Sequence, residues 1–213
     1  MADNFAERAA QWDQNPERLA ASRAFLEAMT PLAGQRLGGR VLDFGAGTGL
    51  IGLPLAATAS HVDLLDSSPG MMEVLRSKIA AEGLSNVQAL LGELDALDLQ
   101  QGAYDVIVTN NALHHVEHIP PLLERLAALL APGGALLVGD VAAEDGSFHA
   151  PNVVPHNGFR PEDVASMLES AGLRVAATLA HHVIRKPCHD GVVRDFPQFL
   201  ICAEKASSMG ETS

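Results

Sequence analysis

A glycine-rich turn directly after a short apolar segment is the strongest chemical signal in the sequence. The turn is Asp43-Phe44-Gly45-Ala46-Gly47-Thr48-Gly49, and it follows apolar residues that begin at Val41. Glycines let the backbone approach a ligand closely, and an acid two residues before the first glycine favours an ammonium or sulfonium group over a pyrophosphate. No Gly-Lys-Ser/Thr follows, which excludes the phosphate loop of nucleotide hydrolases, and Leu50 stands where the dinucleotide fingerprint needs a glycine.

Two further acids each follow an apolar segment. Asp66 closes HVDLLD (61–66), where a carboxylate can accept both hydroxyls of a ribose. The run Asp66-Ser67-Ser68-Pro69 also has the composition of a helix-capping turn, and the two interpretations are compatible. Glu93, after NVQALLG (86–92), could meet an adenine amino group or be a surface acid in a loop.

These residues need a scaffold that brings them together, and the chain alternates between two apolar patterns. The sequence predicts five apolar strands, at 41–44, 61–66, 86–92, 104–110 and 135–141. It predicts helices over 50–59, from Ser68-Pro69 to near Gly83, and from Pro120 to Pro132. Strands that are apolar throughout and alternate with helices indicate a parallel sheet covered on both faces.

The two ends of the chain depart from this alternation. Asn15-Pro16-Glu17 predicts the start of a helix that Pro31 closes. Residues 142–159 hold no clear element, and a stretch of that length is usually a lid or binding loop. A helix is predicted from Pro161 to Gly172. The segments 173–184 and 195–205 then predict an antiparallel hairpin, because their connection is too short for a crossover helix.

Taken together, these blocks closely resemble the class I S-adenosylmethionine-dependent methyltransferases over roughly residues 35–205. The resemblance rests on five segments in the right order: VLDFGAGTGL (41–50), LLDSSPGMM (64–72), GELDALDL (92–99), YDVIVTNNALHHV (104–116) and LAPGGALLVGDV (130–141). It implies an α/β fold, a Rossmann-like three-layer sandwich whose seven-stranded, mainly parallel sheet has an antiparallel strand 7. It also implies S-adenosylmethionine as the cofactor and S-adenosylhomocysteine as its product.

The resemblance further implies roles for individual residues. Asp43 and the turn glycines lie around the methionine part of the cofactor, and Asp66 takes the ribose hydroxyls. Glu93, where many members carry Asp, approaches the adenine amino group, and Asn110 sits near the reactive methyl. The complete set expected to bind the cofactor is Asp43, Gly45, Ala46, Gly47, Gly49, Asp66, Ser67, Met71, Glu93, Leu94 and Asn110.

Within the family, the chain looks like the small-molecule branch, which includes quinone-biosynthesis-like methyltransferases and uncharacterised bacterial enzymes. The methyl group is already activated for in-line displacement, so the protein mainly has to align the two reactants and exclude water. A base is needed only if the acceptor arrives protonated. The candidates are His114 and His115 after the fourth strand, and His149 and His156 in the lid segment; each could instead be a packing or turn residue.

Two other signals have a functional and a structural interpretation. His114 and His118 are four residues apart, and the two lid histidines could converge on them, but no acid–histidine cluster at ligand spacing is visible. We therefore predict no metal. Trp12 could cap the pocket or anchor an N-terminal helix on the core.

Composition narrows the possible partners. The chain has 14 Lys+Arg against 26 Asp+Glu, a formal charge of −12, which argues against nucleic acid. No apolar run is long enough for a membrane span and no secretion signal is visible, so we expect a cytoplasmic protein. We also expect it to be a monomer or a homodimer. We expect a helical cap over 1–34, the methyltransferase domain over 35–205 and a disordered tail over 206–213.

Other function classes stay open. A non-catalytic S-adenosylmethionine-binding regulatory module would keep the fold without turnover. Methylation of a protein or RNA target would normally bring an extra domain or a basic face. NAD-dependent oxidoreduction fits the fold alone, and the glycine spacing argues against it. The sequence specifies neither the methyl acceptor nor the attacking atom.

Overall fold

A seven-stranded β-sheet forms the centre of the computed structural model, which describes residue 9 and residues 11–207. The strands are β1 Arg40–Phe44, β2 His61–Asp66, β3 Val87–Leu91, β4 Tyr104–Asn110, β5 Leu130–Val141, β6 Arg174–Pro187 and β7 Val193–Glu204. Within this described part of the chain they lie in the order β3-β2-β1-β4-β5-β7-β6.

Parallel pairing dominates the sheet. The first five strands pair in parallel, whereas β7 runs antiparallel to both β5 and β6. Val41 pairs with Val62 on one side and with Val106 on the other, and all three side chains are buried. The prediction of a mainly parallel seven-stranded sheet with an antiparallel seventh strand is confirmed.

Helices cover both faces of the sheet. Their bounds are α1 Pro16–Ala33, α2 Gly52–Leu55, α3 Pro69–Glu82, α4 Ile119–Leu129 and α5 Pro161–Ser170. Alternate strand residues divide between two cores: Val106 packs with α1 to α3, and Ile107 packs with α4 and α5. This division gives the three layers that the resemblance implied.

Two of the predicted helix starts are confirmed by their caps. The Asn15 side chain accepts a hydrogen bond from the Arg18 backbone N–H at 3.1 Å, and Ser68 Oγ accepts one from Met71 at 3.4 Å. Both caps satisfy backbone donors that have no partner within the helix. Gly83, in the left-handed conformation with φ 64°, ends α3 as expected.

Three predicted boundaries are wrong. The helix expected over 50–59 is helical only at Gly52–Leu55 and then becomes tight turns, in which the N–H groups of residues 56–58 donate to the carbonyl oxygens three residues before them. Helix α1 continues past Pro31 to Ala33, since its final turn is buried in the core. Strand β5 begins at Leu130 rather than 135, because Leu130 already pairs with Tyr104 of β4.

The terminal hairpin is confirmed, and its first strand extends three residues beyond the expected end, to Pro187. Residues 142–159 contain no helix or named strand, and one bridge joins Ala142 to Phe159. Residues 1–8 and 10 of the expected cap and 208–213 of the expected tail lie outside the described residues. Within the described ranges, no helix has the length and apolarity needed to cross a membrane.

A buried carboxylate of β2 is bonded to side chains of β1 and of β4. Asp63, 1% exposed, accepts hydrogen bonds from Arg40 Nη2 at 2.7 Å and from the Tyr104 hydroxyl at 2.8 Å. His61 Nε2 lies 3.1 Å from its other oxygen. Burial and the adjacent Asp63 carboxylate raise the pKa of Tyr104, which keeps this hydroxyl a donor. The three partners together compensate for the burial of the charge.

We predict that Asp63→Asn lowers the free energy of unfolding by about 3 kcal/mol. This is the low end of the cost of breaking a buried ion pair, because Arg40 is itself partly exposed. Urea denaturation followed by circular dichroism measures the change. The matched control is Asp95→Asn, since the Asp95 side chain is 90% exposed and lies 4.0 Å from Arg125. We expect that control to stay within about 0.5 kcal/mol of the unaltered protein; equal losses in both variants would contradict the prediction.

Candidate active site

The predicted cofactor residues meet at the carboxyl edge of the parallel strands. The turn after β1 is held against β2, because the backbone N–H groups of Gly45 and Ala46 both donate to Leu65 O, at 2.9 and 3.0 Å. Gly92, directly after β3, donates to Asp66 O at 3.1 Å. These bonds bring the ends of three neighbouring strands to one place, where open α/β sheets bind their ligands.

Two glycines of the turn have different surroundings. Both have a left-handed φ, 73° at Gly45 and 55° at Gly47, which a side chain rarely adopts. A Cβ added at Gly45 would lie 2.4 Å from Ala112 Cβ, so this glycine allows the turn to contact the segment after β4. A Cβ added at Gly47 meets nothing within 4 Å of the described chain. Gly47 therefore faces open space in which a ligand can approach the backbone.

Asp43 is the most deeply placed acid of the site. It is 2% exposed at the end of β1, and its Oδ2 has no hydrogen-bond partner among the described residues. Burial raises the pKa of Asp43 to about 7; the backbone N–H of Gly52 opposes this shift and the charge of Asp66 reinforces it. A buried carboxylate oxygen without a hydrogen-bond partner is suited to a ligand that brings a positive charge or N–H donors.

The Asp66 carboxylate accepts two backbone hydrogen bonds, one of which forms the predicted capping turn. Its Oδ1 accepts from the Ser68 N–H at 2.8 Å, which is the capping turn, and its Oδ2 accepts from the Gly47 N–H at 2.7 Å. The carboxylate is thereby fixed in orientation and linked to the glycine turn. Each oxygen has a second lone pair, so the predicted ribose contact is compatible with these bonds and stays a prediction.

The remaining predicted cofactor residues surround this centre. Glu93 is exposed and begins a short 3-10 turn whose first residue, Leu94, is buried. Asn110 ends β4, and its buried Oδ1 finds no partner within the described chain. The absence of a side chain at Gly139 makes room for it, because a Cβ there would lie 2.5 Å from Asn110 Oδ1. Ser67 is exposed and Met71 is buried.

The segment before α1 lies directly on the glycine turn. Thr48 Oγ1 donates to Asp13 Oδ1 at 2.6 Å, and Lys78 of α3 forms an ion pair with Asp13. Lys78 also donates to Thr48 O at 2.7 Å. The neighbouring Trp12 stacks with the Arg18 guanidinium, 3.6 Å from the ring centre. These contacts of Trp12 lie within the N-terminal segment, so both interpretations of Trp12 stay predictions, and Asp13 is the residue that reaches the glycine turn.

A buried histidine–carboxylate pair follows β4 on the other side of the turn. His114 Nδ1 lies 2.5 Å from Asp140 Oδ1 at the end of β5, and the His114 backbone N–H donates to Asp140 Oδ2 at 3.2 Å. Val141 N–H also donates to Asp140 Oδ1, at 2.7 Å. Both side chains are about 1% exposed or less. Asp140 thus fixes the orientation of the His114 ring.

Three of the four candidate histidines come together. His149 Nε2 lies 2.9 Å from His114 Nε2, and the ring centres of His114 and His115 are 4.2 Å apart. Burial, with a contribution from His114, lowers the pKa of His115 to about 4 against the opposing charge of Asp140. His115 is therefore a neutral imidazole at physiological pH.

The fourth candidate, His156, contacts the group through its backbone. Its N–H donates to His114 O at 3.3 Å, while its ring lies 5.1 Å from that of Phe159 and its Nε2 has no partner in the described part of the chain. Residues 142–159 form a closed loop, because Ala143 N–H donates to Phe159 O and Glu144 N–H to Asn157 O. The tip of this loop carries His149 to the cluster.

The sequence analysis missed four residues of this site: Asp13, Thr48, Lys78 and Asp140. Asp140 had a visible signal, since it is the single acid in the otherwise apolar segment ALLVGDV (135–141). An acid at the carboxyl end of a buried strand is costly unless it has a partner. The other three had none, because their contacts join segments far apart in the chain.

Comparison with known proteins agrees with this geometry. Residues 41–134 match the protein family described as Methyltransferase domain. An uncharacterised methyltransferase of Schizosaccharomyces pombe is 26% identical over 161 residues, 68% of this chain and 57% of that protein. A ubiquinone biosynthesis O-methyltransferase of Xylella fastidiosa is 29% identical over 175 residues, 76% of this chain and 68% of that protein.

A solved structure extends the similarity to the fold. The crystal structure of a SAM-dependent methyltransferase from Aquifex aeolicus superposes with a TM-score of 0.72 at 23% identity, over 93% of this chain and 97% of that one. The chain spans little more than half the length of the yeast relative, 57%. The family match over residues 41–134 covers the glycine turn, β2 to β4 and all of β1 except Arg40.

Proposed function

We propose that this chain, which carries the domain of the class I S-adenosylmethionine-dependent methyltransferases, transfers a methyl group to a small-molecule acceptor. The membership predicted from the sequence is confirmed by the match of residues 41–134 and by the fold. S-adenosylmethionine is the cofactor of that class. The activity and the acceptor class are our inference, together with the expected cytoplasmic location and monomeric or homodimeric state.

The observation that carries the proposal is the buried Oδ2 of Asp43, which has no hydrogen-bond partner among the described residues. S-adenosylmethionine bears a sulfonium and an ammonium group, and a buried carboxylate oxygen without a partner is suited to a cation. Asp66 lies beside it with its oxygens oriented by two backbone donors. Asn110 Oδ1 supplies another buried acceptor at the end of β4. A pyrophosphate cofactor would meet three acceptors here and no cationic side chain among these residues.

When bound, S-adenosylmethionine supplies a methyl group already activated by its sulfonium. The protein residues then have three tasks: holding the donor at the strand ends, holding the acceptor in line with the methyl, and excluding water. Asp43, Asp66 and the turn backbone serve the first. The loop 142–159 and the segment around Asp13 border the site on either side and serve the third.

The histidine cluster supports the acceptor side of the proposal. A hydroxyl or amine acceptor gives up a proton during methyl transfer, and neutral imidazoles can accept it. His115 and His149 are both partly exposed, whereas His114 is buried and held by Asp140. We assign the proton-accepting role to this cluster and the orienting role to Asp140.

A small molecule is the acceptor that the surface favours. The charge of −12 opposes a nucleic acid target. The relative from Xylella fastidiosa is named as a methyltransferase of ubiquinone biosynthesis that acts on oxygen, which favours a hydroxyl acceptor here. Protein or RNA methylation lacks an equivalent observation in its favour.

We predict that S-adenosylhomocysteine binds with micromolar affinity and that Asp66→Ala weakens binding by about 1.5–3 kcal/mol. The loss follows from removing charge-assisted hydrogen bonds to the ribose and from freeing the turn at Gly47. Isothermal titration calorimetry measures both values. Asp98→Ala, an exposed acid after β3, is the matched control and should bind like the unaltered chain. Tighter binding of NAD than of S-adenosylhomocysteine would overturn the cofactor assignment.

We predict that S-adenosylmethionine binds more tightly as the pH rises from 5 to 7. Because the pKa of Asp43 is raised to about 7, the carboxyl is protonated below that pH. A cation binds the ionised form, so binding below pH 7 must release a proton and the affinity falls by up to about tenfold per pH unit. Above pH 7 the affinity levels off. The same linkage makes the ligand-free protein lose stability as the pH rises through this range, since folding then buries a charge.

Calorimetry at several pH values tests this dependence. Asp43→Asn should bind weakly and with a flat profile between pH 5 and 7, whereas Asp98→Asn should keep the slope. An unaltered chain whose affinity is constant across this range would show that Asp43 does not face the cation.

We predict methyl transfer to a hydroxyl-bearing small molecule in an acceptor screen read out by S-adenosylhomocysteine formation. His149→Gln should reduce turnover by about 10²-fold or more while cofactor binding survives, because this residue lies on the acceptor side. His189→Gln, which changes an exposed histidine of the β6–β7 turn, should leave turnover unchanged. Tight cofactor binding without any transfer across the screen would favour the non-catalytic module instead.

A further inference from the structure

Three histidines of the site have the arrangement of metal ligands. The ligand nitrogens of His114, His115 and His149 all lie within 4.8 Å of one another. The shortest separation, 2.9 Å, joins the two Nε2 atoms of His114 and His149. Nitrogens about 2.0–2.1 Å from a tetrahedral ion are about 3.3 Å apart, so modest ring movements bring all three onto one ion.

Asp140 completes this arrangement from behind His114. It accepts a hydrogen bond from Nδ1 of His114 at 2.5 Å, which leaves Nε2 as the nitrogen with a lone pair on the side of His149. Histidines that bind metal commonly donate their second N–H to a carboxylate, which fixes the tautomer and makes the ligand more basic. Asp140 is itself held by the backbone N–H groups of His114 and Val141.

The donor set indicates the class of metal. Three imidazole nitrogens without a thiolate or a direct carboxylate suit zinc and similar divalent ions, whereas magnesium and calcium prefer oxygen ligands. Lys186 lies beside the loop tip, where its Nζ donates to Phe148 O and is 3.9 Å from the Phe148 ring centre. The buried carboxylate of Asp140 offsets part of the charge that a divalent ion would bring.

We propose that His114, His115 and His149 bind a divalent transition-metal ion, with zinc as the preferred ion and Asp140 as the group that orients His114. Three protein ligands are typical of zinc sites that keep a fourth position for water or another small ligand. This site is separate from the acids that hold the cofactor in the proposed function, and metal binding needs neither cofactor nor acceptor. A measurement of metal binding can therefore support or contradict this proposal whatever the outcome of a methyl-transfer assay.

The metal and a proton would compete for the same nitrogens. In the metal-free protein the imidazoles can take a proton from an acceptor, whereas in the metal-bound protein they are ligands. A metal held by these three histidines would lower the pKa of a hydroxyl acceptor in its fourth position, so that the acceptor could lose its proton to water before its oxygen takes the methyl group and the donor leaves as the neutral thioether. Bound metal also ties His149, and with it the loop 142–159, to the end of β4.

The test is zinc binding by tag-free protein after exhaustive dialysis against a chelator. Competition with a chromophoric chelator should give one zinc per chain with a submicromolar Kd. Substitution with cobalt(II) should give the intense visible bands of a four-coordinate site. His149→Gln should weaken zinc binding by at least about 100-fold, since even outer-shell changes cost 10–100-fold.

Controls separate the proposal from its alternatives. His189→Gln removes an exposed histidine of the β6–β7 turn and should leave the zinc affinity unchanged. Asp140→Asn should weaken zinc binding by about 10–100-fold through loss of the orienting bond. His149→Gln lies in a loop, and an unchanged thermal midpoint and S-adenosylhomocysteine affinity would show that it folds. Zinc binding below one ion per chain, or equal losses in His149→Gln and His189→Gln, would overturn the proposal.

Discussion

The position of β1 between two parallel partners is the constraint on which the rest of the structure depends. The chain leaves β1 towards β2 and β3 and later returns to β4 on the opposite side. The segments that follow β1 and β4 therefore go to opposite faces, as α2 and α3 in one core and α4 in the other show. A crevice opens where such connections diverge, and parallel pairing places Asp43, Asp66 and Asn110 along its edge. Gly45 then lets the two segments touch at Ala112.

The parts of the fold that the sequence predicts are those with local signals. The apolar strands, the caps at Asn15 and Ser68, and the hairpin of β6 and β7 each follow from residues within a few positions of one another. The errors arise where packing overrides local preference: α1 continues through Pro31 because its last turn is buried. Most of the residues predicted to bind the cofactor could be named for the same reason as the strands, since they lie at or just after the end of one.

The spacing of residues along the sequence does not reveal that the histidines of the proposed acceptor side lie close together. His114 and His149 are 35 residues apart, and the loop that joins them spatially has no periodic pattern. Asp140 comes from a third segment, so no short motif contains the pair of His114 and Asp140. The expectation that no acid–histidine cluster exists rested on sequence spacing alone, and the fold brings such a group together. The family resemblance pointed to individual histidines without indicating their mutual distances.

The two sides of the crevice differ in how their buried carboxylates are compensated. On the proposed cofactor side, Asp43 is buried with an Oδ2 that has no partner among the described residues, and its pKa is raised to about 7. Such burial costs stability in the empty protein and is offset only when a cation arrives. On the acceptor side, Asp140 is paired with His114 and capped by backbone donors, so its charge is satisfied before any ligand binds. One side therefore depends on its ligand for compensation and the other is organised in advance. Asp13 and Lys78 contact the glycine turn from outside the sheet, whereas Asp140 holds His114 from β5.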